Sequence, residues 1–497
     1  MSNRISLEEL QNYLWNSAVL LRTHIDAGSY KQYIFPLLFY KRLCDVYDEE
    51  YELALEKSGG DEEFARFDEN HSFVIPEEAH WSKTRECTEN VGKAIIDAFA
   101  KIERANIDKL HGVFGDGAWT NKNRLPDRLL KDLLEHFSTK TLSLKNCPED
   151  ELGTAYEYLI KKFADDSGHT AQEFYTNRTV VRLMVDMLKP KSGESIYDPT
   201  CGSAGMLISS INYLKEKKCE WRNVLIYGQE LNQLTSAIGR MNLFLHGIKD
   251  FHIVNGDTLA NPAFIQNGKL MTFNLVLANP PYSIKQWNRE AFANDKYGRN
   301  FLGTPPQGRA DYAFFQHILK SLDPRNGRCA ILFPHGVLFR TEEHDMRENL
   351  IKSDYLECVI GIGPNLFYNS NMEACIVICR SVKPKERARK VLLIDASKEV
   401  SHQGSYNYLE NNNIAKISKA YSDYQSDGTF SCVVTNERIA SNNYSLSFPL
   451  YFDKDESHHV RTSASDIIPE YKDSVMETQD SYANLDRLMR GVVVSDD

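Results

Sequence analysis

The sequence predicts an α/β protein whose centre is a mostly parallel, doubly wound, Rossmann-like sheet, with a helical domain before it and a helical tail behind. Three observations carry this. From about Thr154, short apolar runs bounded by turn residues alternate with helical stretches, the pattern of repeated βαβ units. The run "FNLVLA" (Phe273 to Ala278) is apolar without alternation, as a strand covered on both faces requires. The first 150 or so residues show helical spacing instead. A chain of 497 residues is too long for one ordinary core. The expected division is a helical domain over 1–150, the sheet domain over 151–425 and an extension over 426–497.

In chain order, "SLEE" at Ser6 to Glu9 reads as a capping box, with Ile5 and Leu10 placed as a hydrophobic staple. Leu7, Leu10, Leu14, Ala18 and Leu21 continue at helical spacing. A second apolar helix, "LLFYKRLCDVY", follows Pro36, a residue suited to a first helical turn. No Walker-type phosphate loop and no cluster of nuclease carboxylates is visible, so ATP-driven translocation and DNA cleavage have no home in this sequence. The expected strand runs are "SIYD", "VLIYGQE", "FHIVNGD", "NLVLANPPY", "CAILFP", "LECVIGI" and "ACIVICR", and the sheet is expected to end near "KVLLIDAS". Beyond Gln425 "NERIASNNYSLSFPLYF" looks extended. The last thirty residues look like a lone helix, which either packs back on the chain or docks on another subunit.

Apolar content of 42% and charged content of 26% are those of a globular chain. No apolar run reaches the length of a membrane span, and "MSNRISLEEL" turns acidic where a signal peptide turns apolar; a cytoplasmic protein without a membrane partner is expected. The ten cysteines are scattered, and the close pair Cys375 and Cys379 has no histidine at ligand spacing, so reduced thiols and no metal site are expected. A net charge of −11 excludes a surface that grips nucleic acid all over. Any phosphate contact must come from a local basic patch or from a partner.

The candidate chemistry sits where strands run out. The first strand leads into "DPTCGSAG", Asp198 to Gly205. Its spacing is not that of a pyrophosphate loop. Small residues at Gly202, Ser203, Ala204 and Gly205 let a ligand approach the backbone, while Asp198 suits a cationic amine such as the methionine end of S-adenosyl-L-methionine. The plainer reading is a tight packing turn. Glu230 ends the second strand, where doubly wound nucleoside sites accept ribose hydroxyls. Asp257 follows the third, placed to accept from an adenine amine. Each acid alone is as well explained by a helix cap or a solvated loop end. One shared ligand explains all three together.

"NPPY", Asn279 to Tyr282, closes the fourth strand. An exocyclic amine on adenine is a poor nucleophile because its lone pair is delocalised into the ring. Accepting both its hydrogens eases attack on an electrophilic methyl, and the Asn279 side-chain oxygen and the Pro280 carbonyl are two such acceptors. Pro280 and Pro281 stiffen the turn that aims them. Tyr282 offers a face against which an extruded base stacks. No metal or covalent nucleophile is needed. A mere strand-terminating turn is the bland alternative.

"DPTCGSAG" followed by "LANPPY" resembles the amino-group DNA methyltransferases. The wider resemblance, through "YIFPLLFYKRLCD", "GTAYEYLIKKFADDSGHTAQEFYT", "GRADYAFFQHIL" (308–319), "FPHGVLFR" (333–340) and "GPNLFY" (363–368), is to the modification subunit of type I restriction-modification systems. It implies an AdoMet-dependent methyltransferase fold and transfer to adenine N6 in double-stranded DNA. It also implies a specificity subunit that selects the site, a second copy of the chain, and a restriction subunit acting as motor and nuclease. By the same resemblance "QEFYTN" (Gln172, Glu173, Phe174, Tyr175, Thr176 and Asn177) closes over the cofactor. Read from its residues, Thr176 or Asn177 caps the following helix. Asn177 stands where the family usually has proline, and Ala204 replaces a common glycine, which a negative φ would tolerate.

Between Tyr282 and Arg309 lies a long stretch carrying Lys285, Trp287, Arg289, Lys296 and Arg299. It is expected either to order over DNA near the flipped base or to be disordered. Two further functions stay open: methyl transfer to a glutamine amide of a protein, and a non-catalytic assembly subunit that binds AdoMet.

Overall fold

The computed structural model describes residues 4–166, 176–364, 366, 373–403 and 406–452. Gln172 to Tyr175, part of "GPNLFY" and the expected terminal helix lie outside the described residues.

Helix α1 (Leu7–Leu21) starts as its sequence requires: Ser6 Oγ accepts from Glu9 N at 3.3 Å, and Ile5 and Leu10 are both buried. The Glu9 carboxylate turns instead to Lys140. Helix α2 (Lys31–Lys57) begins earlier than expected and carries Pro36 inside it. The reason is the preceding 3-10 turn at Ala27–Ser29, which delivers Tyr30 already in helical geometry (φ −59°, ψ −39°), so the helix needs no break before Pro36. Helix α3 (Glu149–Asp166) places Leu152, Ala155, Tyr156, Leu159 and Phe163 in the core of this helical front.

The sheet follows. Helix α4 (Arg178–Leu188) leads into β1 (Ser195–Asp198), α5 (Gly205–Glu216), β2 (Leu225–Glu230), α6 (Gln233–Leu245) and β3 (His252–Asn255). Then come β4 (Leu275–Ala278), α7 (Asp311–Lys320), β5 (Arg328–Pro334), β6 (Leu356–Ile362), β7 (Ala374–Arg380), β8 (Lys390–Ala396) and β9 (Ser431–Thr435). The nine-stranded order is β9-β8-β6-β7-β5-β4-β1-β2-β3. β3, β2, β1, β4 and β5 are mutually parallel, whereas β7 runs antiparallel between β5 and β6. Every residue of β4, β5 and β6 is buried, which is why these runs read as apolar without alternation.

Two expectations need correction here. The sheet does not end at "KVLLIDAS": Ser431–Thr435 adds an antiparallel edge to β8. "NERIASNNY" is not extended, because Thr435 Oγ1 accepts from Arg438 N and starts a short helix at Asn436–Ser441.

The two cores meet at α6. Ile238, Met241, Phe244 and Leu245 join the helical front, and Phe244 stacks on Phe39 with ring centroids 5.8 Å apart. No helix among the described residues is long and apolar enough to cross a membrane.

Candidate active site

In an open parallel sheet the binding crevice lies beyond the carboxyl ends of the strands, where the order reverses. Here β2 and β3 extend from one side of β1 and β4 starts the other, so the reversal falls between β1 and β4. Their register pairs Ile196 with Leu275 and Tyr197 with Val276. Asp198 therefore ends one strand as Asn279 follows its neighbour. Both line one partly open cleft, together with Thr176, Arg178, Thr200, Cys201, Gly202, Ser203, Gly205 and Met206.

The loop after β1 is held from several sides. Cys201 N donates to Gln229 O at 2.9 Å, Gly202 N to Glu230 Oε2 at 3.0 Å, and Asn242 Nδ2 to Ser203 O at 2.8 Å. Thr258 Oγ1 donates to Pro199 O at 2.6 Å. Gly202 is left-handed (φ +52°), and a Cβ there would meet nothing, so the loop turns an open backbone face outward. Ala204 is left-handed as well (φ +63°), so the condition of a negative φ, under which its methyl would be tolerated, is not met. The turn from Gly202 into α5 imposes that conformation, and the methyl group is accommodated at a cost of about 1–2 kcal/mol.

Asp198 is buried, and its Oδ1 accepts from Thr200 N at 3.0 Å. Burial pushes its carboxyl up to about 8; the Thr200 N–H opposes this and the Glu230 charge adds to it. Thr200 Oγ1 is also buried, with no hydrogen-bond partner among the described residues. A buried acid, the Thr200 hydroxyl beside it and an open glycine face form a donor and acceptor set that fits the amino-acid end of S-adenosyl-L-methionine.

Asn279 is fixed at both ends of its amide. Nδ2 donates to Thr176 Oγ1 at 3.0 Å, and Oδ1 accepts from the Tyr282 hydroxyl at 2.8 Å. Burial, with the Cys375 thiol and the Asp311 carboxylate nearby, raises the Tyr282 phenol well above its ordinary value, so it stays a donor. Asn177 caps α4 by accepting from Thr179 N at 3.0 Å, and its own Nδ2 donates to Asn407 O at 3.0 Å.

Other expected residues stand outside the cleft. Glu230 Oε2 accepts from Gly202 N at 3.0 Å, and its Oε1 accepts from Asn232 N at 2.8 Å. Asp257 Oδ1 caps its own turn, accepting from Leu259 N and Ala260 N. In the stretch after Tyr282, Lys285, Arg289 and Lys296 are exposed. Trp287 packs on Phe292 and donates to Gln307 O at 2.9 Å. Arg299 is not a candidate for DNA: its side chain is only 3% exposed, and it pairs with Asp295 at 2.6 Å and donates to Thr258 O and Leu259 O. The stretch is ordered around that buried pair.

Arg178 and Thr200 are site residues that the sequence pattern alone did not single out. Arg178 pairs with Glu157 at 2.8 Å and lies so close to Gly205 that a Cβ there would fall 1.7 Å from Nη1. A signal existed, since a cation at the first position of a helix opposes the helix dipole and needs a compensating acid.

A doubly wound sheet with an acid after β1 and Asn-Pro-Pro-Tyr after β4 defines an amino-group methyltransferase of the AdoMet-dependent class. Comparison with known proteins gives the family. Residues 148–460 match the N-6 DNA Methylase family and residues 10–137 match the HsdM N-terminal domain. This chain belongs to the N-6 DNA methylase family, among the methylase subunits of type I restriction enzymes. It is 33% identical over 373 residues to the HindI methylase subunit of Haemophilus influenzae, covering 72% of this chain and 82% of that one. It is 31% identical to the MjaVIII methylase subunit of Methanocaldococcus jannaschii, covering 90% and 78%. The crystal structure of a type I restriction-modification methyltransferase subunit from Streptococcus thermophilus superposes with a TM-score of 0.78 at 30% identity, covering 90% of this chain and all of that one.

Proposed function

We propose that this chain methylates N6 of an adenine turned out of duplex DNA, using S-adenosyl-L-methionine. It does so as the modification subunit of a complex with a second copy of itself and a site-selecting specificity subunit, which a restriction subunit joins for cleavage. The observation that carries this reading is the meeting of Asp198 and Asn279 in one cleft at the strand-order reversal. S-adenosyl-L-methionine bound there supplies an electrophilic methyl with a neutral thioether as leaving group. Asp198 and Thr200 hold the ammonium end, and the open face of Gly202 and Ser203 admits the rest. Glu230 and Asp257, at the next two strand ends beyond the cleft lining, are assigned to the nucleoside side.

Asn279 Oδ1 has two lone pairs. Tyr282 uses one, which leaves the other for an N–H of the adenine amine, and the Pro280 carbonyl takes the second N–H. Because the amide is oriented before the base arrives, little reorganisation is left for the reaction itself. Lys285, Arg289 and Lys296, exposed just after the tetrapeptide, supply phosphate contacts.

The test is Asn279→Ala in the full complex with tritiated methyl donor. Removal of one preorganised group lowers methylation by about 10²–10³-fold and leaves cofactor affinity nearly unchanged. Undiminished labelling of DNA would refute the assignment. Label in polypeptide instead of DNA would favour a glutamine-amide substrate.

A further inference from the structure

Two stretches of sequence, "GRADYAFF" and "FPHGVLFR", do not line the cleft, yet the structure joins them: Tyr312 reaches Val337 and Asp311 reaches Arg340. Arg309 Nη1 donates to Glu342 Oε2 at 2.7 Å, and Tyr312 Oη to Val337 O at 3.2 Å. Between these contacts Arg340 Nη1 donates to Asp311 Oδ2 at 3.1 Å. Arg340 folds back over Gly336, where a Cβ would lie 2.2 Å from its Nε, so a side chain there would displace the guanidinium. Glu343 holds the same Nη1 at 3.5 Å, and Arg347 Nη1 donates to Arg340 O at 2.7 Å.

The far oxygen of Asp311 faces the tetrapeptide. Asp311 is 1% exposed, and its Oδ1 accepts from the backbone N–H of Ser283, the residue after Tyr282, at 3.1 Å. Ser283 has φ +52°, a left-handed conformation that a non-glycine residue keeps only where its surroundings hold it. Releasing Ser283 lets the chain relax there. The residue before it is Tyr282, whose hydroxyl orients Asn279 Oδ1.

On the reading that Asn279 accepts from the target amine, we propose that Asp311 is a positioning residue for methyl transfer, clamping Ser283 so that Tyr282 and Asn279 stand where the amine arrives. Arg340 anchors the clamp. Asp311 is not among the residues that line the cleft.

The experiment compares Asp311→Ala and Asp311→Asn with wild type, each as the full chain in complex with its specificity subunit. Three quantities are read: the rate of DNA methylation, the affinity for S-adenosyl-L-methionine, and hydrogen exchange of the Ser283 amide. In the alanine variant kcat falls about 10- to 100-fold, cofactor affinity stays within about twofold, and the Ser283 amide exchanges faster. Asparagine keeps one oxygen for two claimants and falls between alanine and wild type in both rate and exchange. Wild-type kcat in the alanine variant overturns the proposal. So does a joint loss of kcat and cofactor affinity that asparagine does not relieve. If alanine fails to fold, as its thermal melt will show, the asparagine variant decides alone: lowered kcat with cofactor binding kept supports the clamp, and wild-type kcat overturns it. Failure of the underlying reading is separately visible, as full methylation by Asn279→Ala, while Ser283 exchange is read without any turnover.

Discussion

The role proposed for Asp198 makes cofactor binding a titration. Its carboxyl is pushed up to about 8 by burial, against the Thr200 N–H and with the Glu230 charge adding. Since this is above the value of about 3.9 in an unfolded chain, the group's contribution to folding is fully present below about pH 4 and is lost as pH rises through about 8. A ligand ammonium requires the ionised form. With a value near 8, about a hundredth of the free protein carries that form at pH 6 and about a tenth at pH 7. Linkage then strengthens the apparent affinity for S-adenosyl-L-methionine about ninefold between pH 6 and pH 7, roughly 1.3 kcal/mol, with nearly one proton released per ligand bound. Calorimetric titration in two buffers of different ionisation enthalpy measures both quantities. Asp198→Asn should flatten the dependence and weaken binding at pH 7. A wild-type affinity independent of pH, with no proton released, would refute the assignment of Asp198 to the ammonium.

The other predictions concern the loop after Tyr282 and the turn after β1. Lys285→Ala with Arg289→Ala should weaken DNA binding and reduce the slope of log affinity against log salt by about 0.9 for each phosphate left unneutralised, and an unchanged slope would remove both residues from the interface. Arg299→Ala strands the nearly buried Asp295 and should destabilise the fold by about 3–5 kcal/mol in denaturant melts, whereas a loss under about 1 kcal/mol would show that Asp295 is re-solvated. Ala204→Gly relieves a left-handed alanine at the price of chain entropy, for a net gain of about 0.5 kcal/mol, and a lowered melting temperature would contradict it.

What could be read in the sequence was whatever depends on short-range pattern. The buried strands announce themselves because both faces are covered, so "NLVLA" and "CAILF" are apolar throughout. The end of β4 follows from its run, and with it Asn279, while Asp198 closes the shorter run "SIYD". Where the outcome depended on a distant partner, the pattern misled. Arg299 looks like one more cation in a basic loop until Thr258 O and Leu259 O accept from it, although Asp295 one helical turn earlier was a visible hint. β9 is short and at an edge, so its pairing with β8, not its composition, makes it a strand. Pro36 sits inside α2 because of the turn that precedes the helix, and no rule about proline alone reveals that.

The acids at the strand ends show why a local role and a ligand role are not rivals. Asp257 uses Oδ1 on its own turn, Glu230 uses an oxygen on Gly202 N and another on Asn232 N, and Asp198 uses Oδ1 on Thr200 N. Each oxygen accepts more than one hydrogen bond, so a carboxylate that caps a turn still has lone pairs to offer. The cap removes the rotamer freedom that binding would otherwise have to freeze, so a capped acid binds a hydroxyl or ammonium at lower entropic cost than a loose one. Glu230 adds a second effect: because it holds Gly202 N, a ligand that draws on the carboxylate also bears on the loop that must receive the cofactor. Glu230→Gln keeps the size but replaces one acceptor oxygen with a donor. It should therefore lower cofactor affinity by more than one missing hydrogen bond to the ligand accounts for, about tenfold or more, and raise hydrogen exchange at Gly202. A loss of affinity with Gly202 exchange unchanged would separate the two roles and show the coupling to be absent.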